Sequence, residues 1–159
     1  VMFMAVYFAF GSNMDAVQMA RRCPGARPVA QASLPRHRLV FRGPSQNRGG
    51  GVASVDPDPD HQVRGLLWSV SEEDLRTLDR VEGAPQWYRR EIVTVMLDDG
   101  STCEAVLYRL PEHVLEMNPT EAYYAQIAAA CSALTIDTAA LEDARTRARG
   151  AESQRCGSQ

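Results

Sequence analysis

Residues Val6 to Met14 read Val-Tyr-Phe-Ala-Phe-Gly-Ser-Asn-Met, a continuous apolar run that breaks at Gly11-Ser12-Asn13. Val6, Tyr7, Phe8 and Phe10 are β-branched or aromatic types suited to a buried strand, and Gly11 ends the run. Glycine reaches backbone angles closed to other residues and leaves a ligand room beside the main chain. Ser12 and Asn13 are good N-caps for a helix beginning near Asp15. Strand, glycine loop and helix start together make a small anion cradle, because free N–H groups at a helix start attract a carboxylate or phosphate. The stretch has neither the Gly-x-Gly-x-x-Gly spacing of a dinucleotide site nor a Gly-Lys-Ser/Thr phosphate loop, so a carboxylate ligand is expected rather than a nucleotide. The same three residues also suit an ordinary strand-to-helix turn, and a chemical role needs support from elsewhere in the chain.

With 159 residues, 45% of them apolar and 23% charged, the chain can bury one core of ordinary size. One domain is expected over residues 1–149, followed by a polar, small-residue tail at 150–159 expected to be disordered. The net charge of -3 and the lack of a basic patch interleaved with aromatics argue against a nucleic-acid partner. All 17 basic residues are arginine, which excludes Schiff-base lysines, lysine general bases and lysine phosphate clamps. Cys23, Cys103, Cys131 and Cys156 form no Cys-x-x-Cys pair, and His37, His61 and His113 lack zinc-ligand spacing, so no metal site is expected. Val1 to Phe10 is apolar but has no basic start or small-residue cleavage site and is too short to span a bilayer. The expectation is a cytoplasmic protein with no membrane partner and with free thiols.

Asp15 to Cys23, stopped by Pro24-Gly25, reads as a short helix. Val29–Leu34, His37–Phe41, Gly51–Val55 and Val63–Val70 read as separate strands of one sheet. The Gly43–Gly50 and Asp56–Asp60 stretches have loop compositions, and both are expected to be mobile and to contact whatever the ligand carries beyond its anchored end. Gly65 inside a strand pattern marks a bend and hints at a curled sheet. Ser71 should cap a helix with acidic residues in its first turn, Leu75 and Leu78 inward, Gly83 as its stop and Pro85 just beyond. Tyr88–Leu97 and Thr102–Leu110 flank Asp98-Asp99-Gly100 as a hairpin. A helix from Pro119-Thr120-Glu121 to about Leu134, and another capped by Asp137 and reaching Arg149, complete the chain.

Glu82 is the carboxylate at which a helix end, a glycine break and the aromatic pair Trp87-Tyr88 coincide. The negative end of the helix dipole, more so where the group is partly desolvated, disfavours its ionised form and makes it a candidate general base near neutral pH. The same spacing also suits an ordinary solvated helix-end residue, and spacing alone does not decide between them. Asp79 is the nearest rival. Ser12 lacks the Gly-x-Ser-x-Gly elbow of a serine hydrolase, Cys131 on an alanine-rich face reads as core, and Arg21-Arg22 and Arg89-Arg90 could clamp an acidic substrate or simply be solvated.

These residues resemble the γ-glutamylcyclotransferase family over most of positions 6 to 134. Tyr7-Phe8-Ala9-Phe10-Gly11-Ser12-Asn13-Met14 looks like its glycine loop, with Phe10 in place of the usual tyrosine and therefore no hydroxyl at that position. Val63-x-Gly65-x-Leu67-Trp68 is similar to the strand before its helix, and Glu82-Gly83 falls on its catalytic glutamate. Tyr88-x-Arg90-x-x-Val93-x-Val95 resembles the strand that follows, and Pro119-Thr120-x-x-Tyr123 a later helix start with a substrate-contacting tyrosine, Thr120 standing where serine is common. The resemblance implies an α+β fold, a small mixed β-barrel flanked by helices. It further implies cyclisation of a γ-glutamyl amide to 5-oxoproline with release of an amine and no cofactor. Glu82 would be the base; Tyr7, Phe8, Ala9, Phe10, Gly11, Ser12, Asn13 and Tyr123 would bind substrate, with Tyr124 as the alternative to Tyr123. The competing reading is a non-catalytic small-ligand or protein-binding module of the same fold.

Overall fold

The computed structural model describes residues 4–84 and 86–157. The first apolar run forms β1 (Met4–Ala9), which pairs antiparallel with the end of a 20-residue strand, β3 (Val52–Ser71), from Met4 opposite Ser71 to Ala9 opposite Leu66. The four short strands read from the sequence are two long ones. Val29–Leu34 and His37–Phe41 lie in β2 (Arg27–Arg42), and Val52–Val55 and Val63–Val70 lie in β3, because β2 and β3 pair from Arg27 opposite Ser69 to Arg42 opposite Val52. The breakers become irregularities within that ribbon. Between the pairs Pro35–Gln62 and His37–Pro57, Arg36 takes a left-handed φ of 57° while residues 58–61 of β3 bulge out. Asp56 and Pro57, expected in a loop, are paired strand residues.

The hairpin β4 (Arg89–Leu97) and β5 (Thr102–Arg109) forms as expected. It joins the ribbon through β2, and β5 meets β1 in parallel at Tyr7–Val106, closing a five-stranded barrel in the order β1-β3-β2-β4-β5. One parallel contact among antiparallel ones makes this a mixed barrel flanked by helices, the architecture the family resemblance implied. Gly65 permits the closure by its size: a Cβ there would lie 2.4 Å from the Ala9 carbonyl oxygen and 2.7 Å from the Phe8 ring.

The helices are α1 (Ala16–Arg22), α2 (Glu72–Glu82), α3 (Glu121–Leu134) and α4 (Ala139–Gly157). Ser71 and Asp74 cap α2 reciprocally, and Thr120 caps α3. Ser12 and Asn13 do not cap α1. They lie in a single 3₁₀ turn, Ser12–Met14, and Asp15 accepts from the Val17 amide in their place. The core joins Phe8, Leu67 and Leu107 of the barrel to Leu78 of α2 and Ile127 of α3, all essentially sequestered from solvent. The expected disordered tail is helical through Gly157, while residues 158 and 159 lie outside the described residues. Its polarity has local use: Glu152 accepts from the Asn118 amide at 2.8 Å and Arg155 donates to the Glu116 carbonyl at 2.6 Å. Leu141, Ala144 and Ala148 bury the inner stripe of the same helix.

Candidate active site

A cavity of about 550 Å³ opens where the 3₁₀ turn after β1, the end of α2, the loop after β2 and the start of α3 converge. Glu82 enters it as the last residue of α2. Gly83 then takes left-handed angles (φ 66°), and its amide closes the helix on the Arg80 carbonyl. The Glu82 side chain is 17% exposed, and burial pushes its pKa up to about 7 against the opposing pull of Arg22 and Arg48. Arg22 Nη1 stands 4.0 Å from Glu82 Oε1, while the same nitrogen donates to Asn13 Oδ1 at 2.9 Å.

The glycine loop is held from several directions. Trp68 Nε1 donates to the Asn13 carbonyl at 3.0 Å, and Gln18 Nε2 donates to Ser12 Oγ and Asn13 Oδ1 at 2.8 and 2.9 Å. Gln126 links Gln18 to Asp15, and Arg48 donates to Gln18 Oε1 at 2.8 Å with its guanidinium 5.0 Å from the centre of the Tyr123 ring. Gly11 has a φ of -118°, so its value here is space rather than an unusual φ: a Cβ would sit 3.1 Å from Ala53 Cβ and 3.5 Å from the Tyr123 hydroxyl. The hydroxyls of Tyr88 and Tyr123 both anchor on Ala53, at its carbonyl (2.8 Å) and its amide (2.9 Å). Asn13 Nδ2 donates to the Tyr7 hydroxyl at 3.0 Å.

Tyr7, Phe10, Gly11, Ser12, Asn13, Glu82 and Tyr123 thus line one cavity. Phe8 and Ala9 do not line it; both are buried in the core, Phe8 because the strand pleat sends it to the face opposite Tyr7. Tyr124 also turns away, against Phe41 and beneath Arg145, which leaves Tyr123 as the tyrosine of the pair in the site. Asp79, the rival carboxylate, accepts from the Tyr108 hydroxyl at 2.6 Å and pairs with Arg90 at 3.0 Å, which occupies it structurally. The loop at residues 43–50 contributes Pro44 to Arg48 to the lining, whereas residues 56–60 contribute none. Arg22 and Arg48 had no assigned role in the sequence. Arg22 belonged to a noted arginine pair and Arg48 to a loop expected to face ligand, but spacing carries no sign that both converge on Glu82.

The profile of the family described as "Gamma-glutamyl cyclotransferase, AIG2-like" matches residues 7–126, which span the glycine loop, Glu82 and Tyr123. The chain belongs to this γ-glutamyl cyclotransferase family. It is 29% identical over 113 residues to a γ-glutamylcyclotransferase from Bos taurus, a match covering 68% of this chain and 60% of that protein. It is 33% identical over 82 residues to the one from Homo sapiens, covering 49% and 44%. The chain therefore matches less than two thirds of the length of these relatives. A solved structure titled γ-glutamyl cyclotransferase superimposes with a TM-score of 0.79 at 25% identity, covering 82% of this chain and 80% of that one.

Proposed function

We propose that this chain cyclises a γ-glutamyl amide to 5-oxoproline and releases the amine. The substrate's α-carboxylate docks at the loop Gly11–Asn13, flanked by Arg22 and Arg48, and its chain folds so that the α-amine faces the γ-carbonyl carbon. The nitrogen attacks that carbon while Glu82 takes a proton from it. The C–N bond to the leaving amine then breaks as Glu82 returns the proton to the departing nitrogen. Proton transfer and aminolysis complete the balance without electron transfer, so the reaction as written uses no cofactor. Tyr7, Phe10, Ser12, Asn13 and Tyr123 bind substrate, and the 43–50 loop meets the leaving group.

The observation that carries this reading is Glu82 itself, a largely buried carboxylate with a pKa raised to about 7, in one cavity with the glycine loop. A base of that strength is largely ionised just above neutrality and can also return its proton. We further place the protein in the cytoplasm. The four cysteines are free thiols, and among the described residues no helix is long and apolar enough to cross a membrane.

The test is to offer γ-glutamyl dipeptides, γ-glutamylamines and γ-glutamyl-acylated antibiotic intermediates and to assay 5-oxoproline chromatographically. Release from at least one class is expected, and its absence from all of them would favour the binding-module reading.

A further inference from the structure

The hydrogen-bond polarity of the cavity's hydroxyls is set by groups that have no choice of role. A guanidinium only donates, so the Asn13 atom 2.9 Å from Arg22 Nη1 is the amide oxygen, and the amide nitrogen faces Tyr7. A second arginine enforces the same sense. Arg48 donates to Gln18, fixing that atom as Oε1 and turning Gln18 Nε2 toward Asn13 Oδ1 at 2.9 Å. An asparagine orientation that is ordinarily a matter of assignment is thus settled twice over. The Tyr7 hydroxyl accepts from Asn13 Nδ2 at 3.0 Å, and its own proton is left to be given elsewhere. Tyr7 lines the cavity, where an acceptor can arrive.

The Ala53 backbone sorts the other two phenols by the same logic. Its N–H must donate, so Tyr123 accepts there at 2.9 Å and keeps its proton for the cavity; its carbonyl must accept, so Tyr88 donates there at 2.8 Å and presents lone pairs. Burial raises the Tyr7 phenol well above its ordinary value and the Tyr123 phenol to about 12, so both carry their protons at any pH at which Glu82 works.

Building on the cyclotransferase reading, we propose that the Tyr7 hydroxyl, seconded by Tyr123, donates to the γ-carbonyl oxygen as it becomes negative, and that Asn13, fixed by Arg22 and Gln18, is the positioning residue that aims it. Tyr7 keeps its proton throughout; the hydrogen bond shortens as charge develops on the oxygen. Glu82 handles the nitrogen protons and the phenols handle the oxygen. Arg22, which stands 4.0 Å from Glu82 while holding Asn13, ties the two devices together.

The test is a double-mutant cycle on Tyr7→Phe and Asn13→Asp, with kcat read on the pH plateau above the Glu82 limb. Asp keeps the shape of Asn and the acceptor for Arg22 but presents an oxygen to Tyr7, which must then donate to it and turn away from substrate. Tyr7→Phe is expected to lower kcat roughly 100-fold, the scale for losing one oxyanion donor, with KM little changed. Asn13→Asp is expected to lower kcat in the parent and to add no more than about twofold in the Tyr7→Phe background. A residue that merely held the loop in shape would damage both backgrounds equally. Should Asn13→Asp melt below the assay temperature, the Arg22→Met/Gln18→Met pair, which frees the Asn13 amide to flip, replaces it with a smaller loss of the same pattern in plateau kcat, the contact of Arg22 with the substrate carboxylate being read separately in KM. Plateau kcat of Tyr7→Phe within about threefold of the parent overturns the donor role, and losses that multiply in a parent that does turn over overturn the aiming role. A parent that releases no 5-oxoproline overturns the cyclotransferase reading and this role with it.

Discussion

Asp56 and Glu82 are both carboxylates withdrawn from solvent beside an arginine, and the structure treats them in opposite ways. Asp56 on β3 is 5% exposed, with Arg42 Nη2 at 2.5 Å and Arg38 at 4.0 Å. Arg42 is itself held by the Glu112 and Val114 carbonyls. The pair welds the far end of the β2–β3 ribbon to the segment after β5. At Glu82 the corresponding arginine is committed to Asn13 and stops 4.0 Å short, so burial outweighs the attraction and the acid holds its proton to about pH 7. A buried carboxylate in direct contact with its arginine is architecture; one held 4.0 Å from it is available for proton transfer.

The contrast breaks most sharply on the largest expected effect. Glu82→Gln keeps volume and reach but removes the base, and turnover is expected to fall by roughly two to four orders of magnitude. Calorimetric binding of 5-oxoproline should survive. Activity within about tenfold of the parent would remove Glu82 from the chemical step. Asp56→Asn is the mirror experiment: leaving Arg42 buried without its anion should cost about 3–5 kcal/mol of stability in urea unfolding. Specific activity of the folded fraction should hold at low temperature, and a loss of turnover without a loss of stability would erase the distinction.

A smaller effect has the sign that marks Glu82 as strained. Its folded pKa is raised from an ordinary 4.5 to about 7, so the folded state holds the proton more tightly than the unfolded chain does. This contribution to stability is fully present below about pH 4.5 and is lost as pH rises through about 7. Glu82→Gln should therefore match the parent near pH 4 and exceed it at pH 8, by up to roughly 3 kcal/mol in denaturant titrations. Equal stability at pH 8 would show that Glu82 is not desolvated. In the parent, kcat/KM should rise with pH through an acid limb near 7.

The smallest effect separates the two arginines. Arg22 opposes the rise in the Glu82 pKa, so Arg22→Gln should move the acid limb of kcat/KM to higher pH. Arg42→Gln should destabilise the fold and leave the limb in place. A limb unmoved by Arg22→Gln would show that the 4.0 Å separation carries no electrostatic coupling.

Much of this was legible in the chain because local rules govern it. The hairpin at Asp98-Asp99-Gly100, the Ser71 cap, the Gly83 stop and the placement of Glu82 at a helix end all follow from side chains acting within a turn or two of themselves. Pro35 and the Asp-Pro repeat at 56–60 misled because a breaker ends a strand only if its partner strand cannot absorb it. Here Arg36 and the bulge at 58–61 absorb it. The tail at 150–157 misled because composition does not register the backbone groups at Glu116 and Asn118 that its polar residues meet. The 43–50 and 56–60 stretches were indistinguishable by composition, and only the barrel puts the first over the cavity as a loop and draws the second into β3 away from it.

The sequence by itself determined which residues could act: no lysine anywhere, one glycine loop after an apolar strand, one glutamate at a glycine-stopped helix end. The tertiary structure decided what those residues are to one another. Closure of the barrel beside Gly65, and the packing of helices whose contacts are tens of residues apart in the chain, bring Arg22, Arg48, Tyr7, Tyr88 and Tyr123 around Glu82. Desolvation and donor–acceptor polarity are properties of that shared enclosure, since both depend on which groups fill the space around an atom, and no spacing along the chain contains them.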